Sequence, residues 1–258
     1  MPTPPWPFPR VLAHRGGGTL APENTIEAIE VGRAHGYRAV EFDATLAADG
    51  VAVLLHDDTL DRTTSGQGAV AARMSAELAA LDAGAWHSPR FAGARVPRLD
   101  AVIRHCRTHG VWMNIELKPA PGAATLTGRV VAECTAHLFA DAIVAGGDRA
   151  ERINPAVPLF SSFERAAVDG ARAAAPDIPR GYLLDTVPSN WQEELQALGC
   201  VALHTNHLHL TRALAQAIKE AGYWLFCYTV NDPARAEELL GWGVDAFCTD
   251  RIDLLFLV

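Results

Sequence analysis

The sequence predicts a distorted (β/α)8 TIM barrel, one domain over residues 1–258 with a short insertion, residues 58–97, at its catalytic rim. Three observations carry this. Short apolar runs alternate with helical stretches along the chain, the pattern of a parallel sheet covered by helices. A length of 258 residues is ordinary for such a barrel in one domain. The polar residues that stand out follow the apolar runs, where the C-terminal strand ends of a barrel carry its active site. They are His14-Arg15, Glu41 and Asp43, Glu116 and Lys118, Ser161-Ser162, Asn206 and Asn231.

Taken in order, the proline-rich start up to Arg10 is extended rather than helical, and Trp6 and Phe8 are placed to pin it to the barrel floor. Barrel strands are expected near Val11–His14, Ala39–Asp43, Trp112–Leu117, Leu159–Phe163, Gly181–Leu184, Val201–His204, Trp224–Val230 and Asp245–Thr249. Val51–His56 is the return arm of a hairpin, signalled by Ala48-Asp49-Gly50. A two-residue turn at Asp49-Gly50 pairs Ala48 with Val51 and sets His56 opposite Asp43. The first helix opens after Pro22-Glu23-Asn24-Thr25, with Asn24 read as its N-cap, Glu27 completing a capping-box variant and Gly36 ending it; direct contact of Asn24 with a ligand is the alternative. Between Asp57 and Arg98 the βα pattern breaks into a Thr/Ser/Gly-rich stretch, a short helix at Ser75–Ala83 and an irregular segment, read as a cap over the site. Leu99–His109 resumes the barrel as an amphipathic helix through Ala101, Val102, Ile103 and Cys106, and Ala166–Ala175 is an outer helix.

A net charge of −8 and a pI near 5.6 argue against a nucleic-acid or anionic-membrane partner. An anionic substrate then needs a local cation. The five cysteines have no C-x-x-C spacing and fit reduced thiols in the cytoplasm. The N-terminus lacks the apolar region of a signal peptide, and no apolar run is long enough to span a membrane.

Glu41, Asp43 and Glu116 are candidate ligands for one hard divalent cation, Mg²⁺ ahead of Ca²⁺, because three carboxylates at adjacent strand ends suit oxygen coordination with positions left open. Glu-x-Asp alone is common; its apolar flanks and the nearby basic residues set this one apart. Arg15 and Lys118 are candidate phosphate binders, and Gly16–Gly18 allow close backbone approach. His14 and His56 are candidate acid and base, since imidazoles titrate near neutrality. His204, His207 and His209 have a metal-like spacing without a matching Cys or acid and are read as a loop; His105 and His109 are read as surface residues of an outer helix.

Together these residues resemble the glycerophosphodiester phosphodiesterase family. The shared motifs are His14-Arg15-Gly16, Pro22-Glu23-Asn24-Thr25, Glu41-Phe42-Asp43, His56-Asp57, Asn114 to Lys118, Ser161-Ser162-Phe163 and Thr229-Val230-Asn231, in order over nearly the whole chain. The resemblance, closest to the small cytosolic bacterial members, implies metal-dependent hydrolysis of glycerophosphodiesters to sn-glycerol 3-phosphate and an alcohol. It carries cation binding onto Glu41, Asp43 and Glu116, acid–base work onto His14 and His56, phosphate binding onto Arg15 and Lys118, and further substrate contact onto Phe163 and Tyr228. Tyr228 departs from the Trp that many relatives carry before Thr-Val-Asn. A phosphatidylinositol-specific phospholipase C-like enzyme and a non-catalytic binding barrel are the competing readings.

Overall fold

The computed structural model describes residues 5–146 and 153–255. Strands β1 (Val11–Ala13), β2 (Ala39–Leu46), β4 (Trp112–Leu117), β5 (Leu159–Ser162), β6 (Arg180–Leu184), β7 (Ala202–Asn206), β8 (Trp224–Tyr228) and β9 (Ala246–Thr249) form a closed parallel barrel. Closure is made where β1 pairs with β9 through Leu12 and Cys248 and with β2 through Ala13 and Val40. The short antiparallel β3 (Ala52–Leu54) hangs on β2 outside the ring. Helices α1 (Ile26–Ala34), α3 (Leu99–Thr108), α4 (Ala124–Leu138), α6 (Arg165–Ala174), α7 (Trp191–Leu198), α8 (Arg212–Glu220) and α9 (Pro233–Gly241) connect the barrel strands, α5 (Ala140–Gly146) comes directly after α4, and α2 (Ser75–Ala80) lies in the segment after β3. The fold is the expected (β/α)8 barrel, and the strand boundaries differ from the sequence reading by at most a few residues at either end.

Every residue of β2 is buried, as a parallel strand covered on both faces requires. Between strands and helices lies the main core, in which Val40, Phe42, Ile115 and Phe160 meet Ile29, Val102, Ile103 and Val168. Ala101 is exposed rather than core-facing, because the buried stripe of α3 runs through Leu99, Val102, Ile103 and Cys106. Inside the barrel, Leu12, Ala39, Phe226, Ala246 and Cys248 pack together. Below them Phe8 stacks on Trp112 at 4.2 Å, and Trp6 meets Trp224 edge to face at 5.2 Å. The arm therefore does plug the floor over its described part; residues 1–4 lie outside the described residues.

The hairpin register is one residue off the expectation. Ala44, Thr45 and Leu46 pair with Leu54, Val53 and Ala52, and Leu55 N–H reaches Asp43 O, so Leu55 and not His56 lies opposite Asp43. The turn has three residues, Ala48-Asp49-Gly50, closed by the Ala47 N–H to Val51 O bond, with Gly50 at φ +74°. A three-residue loop ending in a left-handed glycine displaces the two-residue turn that Asp49-Gly50 suggests.

Residues 58–97 carry a small core of their own, Leu60, Val70, Leu78, Ala83 and Val96, against Val53 and Leu55 of the hairpin arm. Bridges Thr59–Ala69 and Asp82–Arg95 tie the segment internally, and the Asp82 carboxylate accepts from the Gly84, Ala85 and Gly93 amides. The short helix there ends at Ala80 rather than Ala83.

Candidate active site

Strand register assembles the acids. Glu41 and Asp43 alternate onto the same face of β2, and pairing with β4 sets Asp43 beside Glu116. One carboxylate oxygen from each of Glu41, Asp43 and Glu116 lies within 4.8 Å of the other two. Asp43 is 1% exposed and Glu41 4%. Burial, then the charge of Asp43, pushes Glu41 up to about 7; the same two causes, with Glu41 adding to them, push Glu116 up to about 8. Asp43 moves the other way: burial opposes its charge, but Arg15, His56 and Lys118 and a hydrogen bond from Asn24 outweigh it. Three carboxylates gathered in one buried cluster could hold a cation.

Around this cluster stand two imidazoles of matched design. His14 Nδ1 lies 2.6 Å from Asp250 Oδ1, and His56 Nδ1 lies 2.7 Å from Asp57 Oδ1. An ionised carboxylate only accepts, so each Nδ1 carries the proton and each Nε2 is left free to accept. His14 Nε2 is 3.7 Å from Glu41, and His56 Nε2 is 3.1 Å from Lys118 Nζ. Burial works against the His14 imidazolium, yet the Asp250 hydrogen bond and the charges of Glu41 and Asp250 prevail and raise its pKa. Lys118 also lies 3.3 Å from Glu116.

Arg15 sits in the left-handed region, φ +51°, just beyond β1. Its Nη1 donates to Glu23 Oε1 at 2.7 Å, and its Nε stands 3.5 Å from Asp43 Oδ2. The glycines after it are packing devices rather than a loose loop. A Cβ on Gly18, itself at φ +54°, would meet the Asp250 carbonyl at 2.1 Å, and the Thr19 amide bonds that carbonyl at 2.9 Å.

Asn24 does not cap α1. Thr25 does, its hydroxyl accepting from the Ala28 amide, while Asn24 at φ +58° donates to Asp43 Oδ2 at 2.8 Å and accepts from the Asp43 amide at 3.0 Å. Two adjacent cap-capable residues made the sequence ambiguous, and the αL tolerance of Asn resolves it. Asn24 thus holds a candidate ligand at both its backbone and its carboxylate.

The sequence reading missed Asp250 and the route by which Arg62 reaches the site. Asn231 orders Asp250, accepting from its amide at 2.8 Å and donating to Oδ2 at 3.1 Å. Arg62, from the segment after β3, donates to both oxygens of Asp57 and both of Glu23, joining Arg15 and His56 through one chain of charge. The only signal for Asp250 was an acid directly after the last strand. Ser161 and Ser162 are fully buried: Ser161 accepts from Asn114, and Ser162 donates to the Leu117 carbonyl. Phe163 and Tyr228 meet edge to face at 5.7 Å, with Lys118 Nζ 5.9 Å above the Phe163 ring. His204 is buried against Phe226, His207 faces Arg235 and His209 faces Asp185, so these three do not converge.

No described helix is long and apolar enough to cross a membrane. The chain is 30% identical over 250 residues to a glycerophosphodiester phosphodiesterase of Caldanaerobacter subterraneus, covering 95% of each. Its fold superposes on a phosphodiesterase of Oleispira antarctica in complex with the product sn-glycerol-3-phosphate, at 35% identity and TM-score 0.82 over 94% of this chain and 93% of that one. A glycerophosphodiester phosphodiesterase from Agrobacterium tumefaciens matches at 30% identity and TM-score 0.77, over 95% and 97%. With the glycerophosphoryl diester phosphodiesterase family matching residues 14–254 as well, the chain belongs to that family and is an enzyme of its class.

Proposed function

We propose that this enzyme hydrolyses glycerophosphodiesters to sn-glycerol 3-phosphate and an alcohol by metal-dependent, two-histidine acid–base catalysis. The observation that carries the reading is the pair of imidazoles flanking the acids, each backed on Nδ1 by an aspartate, with His14 Nε2 near Glu41 and His56 Nε2 on the lysine that pairs with Glu116. Glu41, Asp43 and Glu116 fit a hard divalent cation, Mg²⁺ ahead of Ca²⁺: all donors are carboxylate oxygens, and two of the three resist ionisation without a partner. When bound, the ion would neutralise the three acids and stabilise charge on the phosphoryl oxygens.

His56, whose Nε2 receives a lysine hydrogen bond, is the base that takes the proton of the glycerol 2-hydroxyl. His14, between Asp250 and Glu41, is the imidazolium that protonates the departing alcohol. The 2-oxygen forms its bond to phosphorus as the bond to the headgroup oxygen breaks, giving a cyclic phosphate. Intramolecular attack gains a large effective molarity. Water then opens the ring, losing its proton to His14 while His56 returns one to the 2-oxygen. Arg15 and Lys118 hold phosphate oxygens, and Phe163 with Tyr228 forms an apolar wall for the substrate carbons. The segment 58–97 acts as a cap on a single domain, its Arg62 fixing Asp57. The five free cysteines support a cytoplasmic setting.

The test is metal-stripped protein given glycerophosphocholine, with Mg²⁺ or Ca²⁺ restored separately and sn-glycerol 3-phosphate measured. Product that depends on the ion is expected, and folded protein that binds the diester without turning it over refutes the reading. A substrate lacking the 2-hydroxyl should not turn over; full turnover would replace the cyclic route by direct water attack.

A further inference from the structure

We propose that Glu30, His105 and His109 form a second metal site, on the outside of the barrel between α1 and α3, for a borderline divalent ion of the zinc class. One donor atom from each residue lies within 4.8 Å of the other two. His105 Nε2 already meets Glu30 Oε1 at 2.5 Å, and the two imidazole rings lie 4.4 Å apart at a 42° tilt. An i, i+4 histidine pair on a helix puts both rings on one face.

Three features make this more than a surface cluster. His109 Nδ1 bonds the His105 carbonyl at 2.8 Å, which fixes its tautomer and frees Nε2, the outer-sphere arrangement typical of metal-binding histidines. Both histidines stand at the C-terminal end of α3, where the helix dipole favours a cation. Arg33 holds both oxygens of the Glu30 carboxylate, at 2.6 and 2.7 Å, and so fixes its orientation. The site is half-open, so an ion can enter and water can complete the coordination. Two imidazoles and one carboxylate suit zinc with a fourth position filled by water, whereas the all-carboxylate cluster at the strand ends suits a hard ion. The two sites therefore select different metals. On binding, zinc replaces the proton between His105 and Glu30 and ties α1 to α3. The positive charge of Arg33 opposes the ion and keeps affinity moderate.

The test titrates Zn²⁺ into the full chain by calorimetry, with Mg²⁺ saturating so that the strand-end carboxylates are occupied. About one equivalent is expected to bind, weakened on the order of ten-fold or more by the His105→Ala/His109→Ala double substitution. Mg²⁺-dependent diester hydrolysis should be unchanged in that variant. Co²⁺ in place of zinc should give visible d–d absorption from mixed nitrogen and oxygen ligands in the native chain and lose it in the variant. Unaltered zinc binding by the double variant overturns the proposal. So does binding abolished by Glu41→Gln/Glu116→Gln instead, since zinc would then sit among the strand-end acids; so does the lack of saturable binding.

Discussion

The two histidine–aspartate pairs look alike at the imidazole and differ in everything behind it. The His14–Asp250 pair is built from the barrel: β1 and β9 pair directly, and Asn231 bonds the Asp250 amide and carboxylate. The His56–Asp57 pair is held from outside the ring by Arg62, which is 45% exposed at its side chain and shared with Glu23. One imidazole is positioned by backbone pairing and neutral hydrogen bonds, the other by exposed charge. The first should be rigid and indifferent to salt, and the second tunable by the segment that supplies Arg62.

The largest effect should come from the imidazoles themselves. His14→Ala and His56→Ala should each lower kcat by about 10²–10⁴ with the thermal midpoint nearly unchanged, because the proposed cycle uses acid and base in both half-reactions. Near-normal turnover in either would break the symmetry of the pair. Next come the orienting acids: Asp250→Asn and Asp57→Asn should each cost about 10–100-fold in kcat. Arg62→Ala should cost less, about 3–10-fold, and raised salt should narrow the gap to the native enzyme through screening. An equal loss at all ionic strengths would mean Arg62 acts by packing.

The smallest effect concerns the acids between the two pairs. Folded Glu41 and Glu116 hold protons more tightly than unfolded glutamate does. Their contribution to stability is thus full below the ordinary value of 4.5 and is lost as pH rises through about 7 and about 8. Metal-stripped protein should therefore lose about 5 °C of thermal midpoint between pH 6 and 9 relative to Glu41→Gln/Glu116→Gln. Mg²⁺ should abolish the difference; a flat profile without metal would mean that the carboxylates ionise at their usual values.

Much of this was legible in the chain because strand ends announce themselves. An apolar run stopping at His14-Arg15, or at Glu116-x-Lys118, marks both the strand and the mouth of the barrel. The hairpin register was not legible, since Asp49-Gly50 supports a two- or three-residue loop and only packing of Leu55 against Leu60 and Val96 chooses. Asn24 was misread because local capping rules score it before any distant partner does, while its actual partner, Asp43, is 19 residues away. Asp250 was missed for the same reason at greater range: its contact with His14 spans 236 positions, beyond any local motif.

That span also sets an order of events in the making of the enzyme. The Asp250 carbonyl seats the loop after His14, and its side chain orients the imidazole. A chain being synthesised carries His14 236 residues ahead of Asp250, so the ring has no carboxylate behind it until the β9 end leaves the ribosome and closes the seam. Contacts of such separation form late, after the cost of closing the loop has been met. The surroundings of His14 are therefore completed when the seam closes rather than growing with chain length.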